Sequence, residues 1–68
     1  MTRTILVDDK SMHIEGYKHI VSMTELGISI DCGKKHLKIS GQKIKIEILN
    51  SMELNIYGLI DKIEWIKV

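Results

Sequence analysis

Proline, phenylalanine and alanine are absent from this 68-residue chain, and cysteine occurs only once. A single cysteine excludes an internal disulfide, which small secreted domains normally need. The absence of alanine removes the residue with the highest helix propensity. A chain of this length buries only about 60% of the surface that its unfolded form exposes, so we expect one domain over residues 1–68. These absences favour a small β protein from a reducing compartment.

Isoleucine dominates the apolar residues that are present. The chain has 13 Ile, 6 Leu and 3 Val, and 44% of its residues are hydrophobic. Isoleucine is β-branched and restricted at χ1, which suits the pleated surface of a sheet better than a helix. The formal net charge is only +1, which gives no support to nucleic acid as a partner. The composition therefore predicts strands before any pattern is considered.

Apolar and polar residues alternate with period 2 along most of the chain, which is the signature of half-buried strands. A helix over residues 59–68 is less favoured, since half of that segment is β-branched or aromatic. The pattern predicts an all-β fold, either a small antiparallel β-sandwich or a strongly curled meander of about seven to eight short strands. The predicted strands are residues 4–7, 12–15, 17–23, 28–31, 36–40, 43–48, 53–57 and 59–68.

Three of these strands end in the same pattern, apolar-x-Ile-x-Gly, at Gly16, Gly41 and Gly58. We expect each glycine to turn or bend the chain. The clearest predicted hairpin joins residues 36–40 to 43–48 through a turn at Gly41-Gln42. A bulge is expected near Asp61-Lys62, because the apolar positions of the last strand change parity there. The predicted hairpin would direct its apolar side chains inward: Leu37, Ile39, Ile44, Ile46 and Ile48.

Residues that could carry chemistry are few. Zinc sites usually show tight pairs of ligands, whereas His13, His19 and His36 are dispersed and Cys32 stands alone. Cys32 and His36 are the only nucleophile and base in proximity, and a third member of a catalytic set is missing. We therefore predict no catalytic residues, no metal, no cofactor and no enzymatic activity.

Five lysines cluster in sequence, and they support a second hypothesis. A basic hairpin over residues 34–45 could serve a small nucleic-acid or anionic-surface binding module. Because the segment contains no aromatic residue for base stacking, no nucleic acid is expected as the main partner. Tyr57 and Trp65 are instead candidate interface residues, since exposed aromatics often anchor protein partners. The alternative for Trp65 is that its indole fills the core. The lysines of the cluster are Lys34, Lys35, Lys38, Lys43 and Lys45.

From Met12 to Trp65 the order of the motifs resembles the YabP/YqfC family of bacterial sporulation proteins. Residues 37–46 and 53–63 match the two later family blocks position for position. The early block, residues 15–20, departs from the pattern at Gly16, where Asn is usual, and at His19, where Gly is usual. The matching positions include Glu15, Lys18, Ile20, Ile39, Gly41, Ile56, Gly58, Ile60 and Ile63.

The resemblance implies a non-enzymatic structural or adaptor protein that acts in spore maturation through protein–protein contacts. Members of the family are encoded beside a membrane protein of the sporulation programme, which implies a protein partner of that kind. A homo-oligomer is the other expected assembly. We expect a cytoplasmic protein of a sporulating bacterium, peripheral to a membrane through its partner, because residues 1–4 do not resemble a signal peptide and no apolar run is long enough to span a bilayer.

Overall fold

The computed structural model of the chain describes residues 2–67 and consists of β strands joined by short connections. Every strand pairing is antiparallel. Among the described residues, no helix is long and apolar enough to cross a membrane. The all-β prediction is confirmed. The strands are β1 (Arg3–Asp8), β2 (Ser11–Glu15), β3 (His19–Thr24), β4 (Gly27–Asp31), β5 (Lys35–Asn50) and β6 (Glu53–Lys67).

The six strands form one open sheet in the order β1-β2-β6-β5-β4-β3. The predicted number of seven to eight strands is wrong, and so is the division of a sandwich into separate sheets. Both errors have the same cause: Gly41 and Gly58 lie inside strands rather than between them. The predicted hairpin turn at Gly41-Gln42 does not exist, because the chain continues through it as the 16-residue strand β5. Likewise, residues 53–57 and 59–67 form the single strand β6.

Gly41 and Gly58 allow β5 and β6 to bend together. A Cβ atom on Gly41 would overlap the carbonyl oxygen of Leu59, so only glycine permits this approach of the two backbones. Gly58 has φ +131°, and a Cβ there would lie 2.6 Å from the carbonyl oxygen of Lys43. Lys43 itself has φ 53°, in the left-handed region that non-glycine residues rarely occupy. The bend therefore depends on two close backbone contacts.

The bend divides the sheet into two halves with the same plan. The β2 half contains β1, β2, residues 53–57 of β6 and residues 45–50 of β5. The β4 half contains β3, β4, residues 35–40 of β5 and residues 62–67 of β6. In each half a hairpin turn contacts the bend. The amide of Gly58 donates to the carbonyl of Lys10 at 3.0 Å, and that of Gly41 donates to the carbonyl of Leu26 at 2.9 Å.

The core lies between the two halves. Each half contributes four side chains from its two central strands, and all eight are at most 3% exposed. Such burial requires that the bent sheet fold over, so that one half covers the other; Tyr17 and Ile44 complete the cluster. The β2 half supplies Met12, Ile14, Leu54 and Ile56, and the β4 half supplies Ile28, Ile30, Leu37 and Ile39.

Several local predictions are confirmed. Turns occupy residues 9–10, 25–26 and 51–52, and an irregular connection follows β4 at residues 32–34. Ser40 pairs with Lys62 and Gly41 pairs with Ile60, which leaves Asp61 as the extra residue of the predicted bulge. The last segment is a strand, although Val68 lies outside the described residues. Ile48 lies on the core face opposite Leu54, as predicted, but it is 59% exposed because it belongs to an outer strand of the β2 half.

Replacing Gly41 by Ala is expected to lower the free energy of unfolding by about 3 kcal/mol or more, because the new methyl group must displace the backbone at Leu59. Gly33→Ala is the matched control. Gly33 lies in the connection after β4 with φ +98°, and its Cβ would meet only the flexible end of Lys18, so the loss should be about 1–2 kcal/mol. Urea unfolding followed by circular dichroism measures both. Equal losses in the two variants would contradict the proposed role of the bend.

Candidate functional site

The core face of the sheet extends beyond the area that the two halves cover. In each half, the strands that flank the central pair carry apolar side chains on the same face as the core, directly opposite buried residues. Leu6 pairs with Met12, and Trp65 pairs with Leu37, for example. Members of this set are 37–59% exposed, whereas their opposing residues are buried. We refer to the set as the uncovered flanks: Leu6, Met23, Ile48, Ile63 and Trp65.

Trp65 also lines a groove on the surface of the molecule. Thr2, Cys32, Lys34 and Lys35 form the rest of this groove, which has a volume of about 490 Å³. The indole is 46% exposed and therefore does not fill the core. The groove combines an aromatic surface with two cationic side chains.

Tyr57, the other candidate interface residue, lies elsewhere. Because Leu54 and Ile56 point into the core, the alternation of β6 places Tyr57 on the outer face of the β2 half. Its hydroxyl donates to Oε1 of Glu47 at 3.3 Å. The structure therefore does not bring Tyr57 and Trp65 into one patch.

The outer face of the β2 half carries a network of polar side chains, which we call the polar ladder. His13, Asn55 and Glu47 are paired in register across β2, β6 and β5. The amide nitrogen of Asn55 donates to Glu47 Oε1 at 3.1 Å and to the Tyr57 hydroxyl at 3.3 Å. The polar ladder consists of His13, Glu15, Glu47, Glu53, Asn55 and Tyr57.

These donations determine the tautomer of His13. Because the amide nitrogen of Asn55 already faces two acceptors, its Oδ1 faces His13 and accepts from Nδ1 at 2.7 Å. The other ring nitrogen, Nε2, lies 3.2 Å from Oε1 of Glu15 and 3.9 Å from Oε1 of Glu53. The hydrogen bond with Asn55 raises the pKa of His13, and the two carboxylates add to that effect.

The candidate catalytic pair of the sequence, Cys32 and His36, is arranged unfavourably for nucleophilic chemistry. Burial raises the pKa of the Cys32 thiol, which reduces the fraction of reactive thiolate. The thiol faces the carbonyl of Ile30 at 3.8 Å. His36 and His19 both approach Asp31 instead, at 3.8 Å and 3.4 Å.

The five lysines do not form the two arms of a hairpin. Lys34 precedes β5, and the other four lie along that single bent strand. Lys38 belongs to the β4 half and Lys45 to the β2 half, with Lys43 at the bend between them. Of the five, only Lys34 and Lys35 line the groove with Trp65.

Most positions of the family pattern are scaffold. Ile39 and Ile56 are core residues, Gly41 and Gly58 form the bend, and Ile20 and Ile60 pack against the core. Ile63 belongs to the uncovered flanks, Glu15 belongs to the polar ladder, and the backbone amide of Lys18 donates to the carbonyl of Asp31. Sequence reasoning missed Glu47, Glu53 and Asn55. The spacing of His13 and Glu15 indicates a shared face, but the sequence contains no signal for the pairing of β2 with β6.

Titration of the His13 ring by NMR should give a pKa above the ordinary imidazole value of about 6.5. Asn55→Ala should lower it, because the largest cause of the shift is removed. Since the folded-state pKa is raised, protonated His13 stabilises the fold. That contribution is complete below about pH 6.5 and is lost as the pH rises through the folded-state pKa. An unchanged pKa in Asn55→Ala would contradict the assigned hydrogen bond.

Comparison with known proteins places the chain in a family. No curated protein and no solved structure matches it. A family model, that of the YabP family, matches residues 1–68. The match covers the bend glycines, the core and the polar ladder alike, and the resemblance seen in the sequence is confirmed: the chain belongs to the YabP family.

Proposed function

We propose that this chain is a non-enzymatic structural or adaptor component of spore maturation that acts through protein–protein contacts. Membership of the YabP family supports a role related to sporulation. The single observation that carries the contact hypothesis is the set of uncovered flanks. The centre of the core face is already buried, and a partner that covers these side chains would bury its margins as well.

The physical argument rests on burial. Large contiguous patches of exposed apolar surface are rare on monomeric proteins and mark interaction sites. Trp65 is 46% exposed and Ile63 is 37% exposed, and they are neighbours on the same face of β6. Burying a large apolar side chain stabilises a complex by about 1.5–3 kcal/mol, and tryptophan is enriched among the residues that dominate binding energy. Ile63 and Trp65 are therefore the proposed anchor of the interface.

The sheet edges support the same proposal. β1 and β3 are the two edge strands, and edge strands present unpaired backbone groups to any chain that can add a strand. β3 contains neither lysine nor proline, the residues that commonly discourage such pairing. Val21 and Met23 are about half exposed there. A protein of the sporulation programme, such as a membrane protein encoded nearby, or a second copy of this chain would fit these features.

A structural role is preferred to catalysis because of Cys32. The thiol is the one nucleophile that the sequence places near a histidine, and its pKa is raised rather than lowered. His36 approaches Asp31 instead. Nucleophilic enzymes require the opposite arrangement, in which a base or a positive environment favours the thiolate.

The combined substitution Ile63→Gln and Trp65→Gln is expected to reduce the yield of heat-resistant spores at least tenfold when it replaces the wild-type chain in the sporulating host. The double variant loses the anchor of the interface. Its folding stability should change little, because both residues are exposed. Leu26→Gln is the matched control, because Leu26 is 68% exposed on a turn outside the uncovered flanks. The control should sporulate normally.

Photo-crosslinking tests directly whether position 65 contacts a partner. A photoreactive amino acid at position 65 should form a defined adduct in sporulating cells, and one at position 26 should not. Light scattering on the purified chain distinguishes a second copy from another protein. Normal spore yield from a folded double variant, together with no adduct from the variant that carries the photoreactive amino acid at position 65, would refute the proposal.

The groove favours a second candidate, the binding of nucleic acid or another anionic surface. Trp65 supplies the aromatic platform that the lysine segment itself lacks, and Lys34 and Lys35 lie beside it. Stacking together with adjacent positive charge is the usual chemistry of such binding.

This second candidate expects single-stranded DNA to bind with an affinity that falls steeply with salt, and expects Lys34→Glu/Lys35→Glu to reduce that affinity about tenfold or more. Lys38→Glu/Lys45→Glu makes the same change in charge away from the groove and should have a smaller effect. Fluorescence anisotropy at two salt concentrations measures both. The adaptor proposal expects no measurable binding in any variant.

A further inference from the structure

His13, Glu15 and Glu53 form a compact cluster on the outer face of the β2 half. One ligand atom from each residue lies within 4.8 Å of the other two. His13 and Glu15 are two residues apart on β2, so their side chains share a face, and Glu53 is paired directly opposite Glu15 on β6. These strands are the central strands of the half, and the alternating residues Met12, Ile14 and Leu54 are buried beneath them. The cluster therefore stands directly over the buried core of this half.

The cluster contains more negative charge than its own hydrogen bonds neutralise. Like charges directly opposite each other across a strand pair are destabilising, and Glu15 and Glu53 occupy such a pair. In the tautomer fixed by Asn55, the neutral His13 ring directs the lone pair of Nε2 towards these two carboxylates. While the ring is neutral, Nε2 and the two Oε1 atoms are three acceptors with no proton between them. A metal cation would satisfy them, as the second ring proton does when His13 is charged.

The supporting contacts resemble those of a metal site. Ligating histidines almost always donate their other ring nitrogen to an oxygen acceptor, which orients the ring, and Asn55 Oδ1 performs this role for His13. Glu53 is also held, because its Oε2 accepts from the amide of Asn50 while Oε1 faces Nε2. Asn55 in turn is held by Glu47 and Tyr57.

We infer that His13 Nε2 and the carboxylates of Glu15 and Glu53 bind one divalent transition-metal ion of the zinc class. One imidazole with two carboxylates is a donor set for zinc rather than for calcium or magnesium, which prefer oxygen alone. Ligand atoms about 2.0–2.1 Å from a tetrahedral ion lie roughly 3.3 Å apart. The separation of Nε2 from Glu15 Oε1 is 3.2 Å, and that from Glu53 Oε1 is 3.9 Å, so binding requires the Glu53 carboxylate to move closer to the ring.

The partial exposure of the cluster leaves a fourth position accessible. The side chains of His13, Glu15 and Glu53 are 21%, 36% and 38% exposed. A water molecule or a side chain from another protein would complete the coordination. The inference is independent of the proposed adaptor role, because it rests on the outer face of the sheet and not on the uncovered flanks.

The corresponding face of the β4 half provides an internal control. The two halves can be matched at their turns and glycines. Ser29 and Asp31 then correspond to His13 and Glu15. His36 corresponds to Glu53, and Lys38 corresponds to Asn55. Histidine and carboxylate are thus present in both halves, but the lysine cannot accept a hydrogen bond and cannot orient a ring as Asn55 does. Only the β2 half is expected to bind.

Calorimetric titration of the full chain with Zn²⁺ at pH 7.5 should show one site. Glu53→Gln and His13→Gln should each weaken binding at least tenfold, and Asn55→Ala should weaken it about 10- to 100-fold although it removes no ligand. The matched control His36→Gln should bind as the wild type does. Because Glu53 is partly exposed, Glu53→Gln keeps the test valid if a change at His13 impairs folding.

NMR identifies the ligand atom in the same samples. Zn²⁺ should shift the ¹⁵N resonance of His13 Nε2 and leave those of His19 and His36 in place. The inference is overturned if no Zn²⁺ binds, if Glu53→Gln binds as tightly as the wild type, or if His36→Gln loses affinity instead. A zinc-induced shift confined to His19 and His36 would also overturn it.

Discussion

The close approach of two backbones at Gly41 and Gly58 is the constraint on which the rest of this structure depends. Without a bend, the long strands β5 and β6 would form a flat sheet, and neither face of that sheet would be buried. Absence of a side chain at Gly41 allows the sheet to bend, and the turns after β1 and β3 hold the bend by accepting hydrogen bonds from the two glycine amides. Burial of the eight central core residues follows from that geometry.

A bend at the middle of the sheet also explains why surface remains uncovered. Each half is four strands wide, but the halves overlap fully only over their two central strands. The inner residues are fully buried, while Trp65 and Ile48 on the flanking strands stay in contact with water. Residues 2–67 contain no element beyond these six strands that could cover them. The apolar surface offered to a partner is therefore a result of the same bend that creates the core.

The sequence allows local features to be predicted, but not the features that depend on contacts between residues far apart in the chain. Period-2 alternation correctly indicates an all-β chain, its turns and the bulge at Asp61, because each of these is determined by neighbouring residues. The consequence of Gly41 could not be predicted. A glycine at the end of an alternating run indicates a turn equally well, and only the carbonyl of Leu59, on another strand, decides that the chain bends instead.

The polar ladder shows the same limit. The alternation of β2 places His13 and Glu15 on one face, and that much is readable from their spacing. Glu53 and Asn55 join them only through the pairing of β2 with β6, across about 40 residues of chain. A search for metal ligands in the sequence considers His and Cys at short spacings and so overlooks carboxylates that the fold brings in from far away.

The strand order has a consequence for how the molecule opens. β3, β4, β5 and β6 are paired in chain order, and β1 is paired with β2, so all of these ladders join segments that are adjacent in sequence. The β2–β6 ladder alone joins distant segments, and closing so large a loop is entropically costly. The hairpin of β1 and β2 can therefore separate from the sheet, to which residues 16–18 connect it. Transient loss of the β2–β6 ladder would leave β3, β4, β5 and β6 paired. It would expose four core residues together: Met12, Ile14, Leu54 and Ile56. His13 lies on β2 and Glu53 lies on β6, so an ion bound by both residues would oppose separation of the hairpin from the sheet.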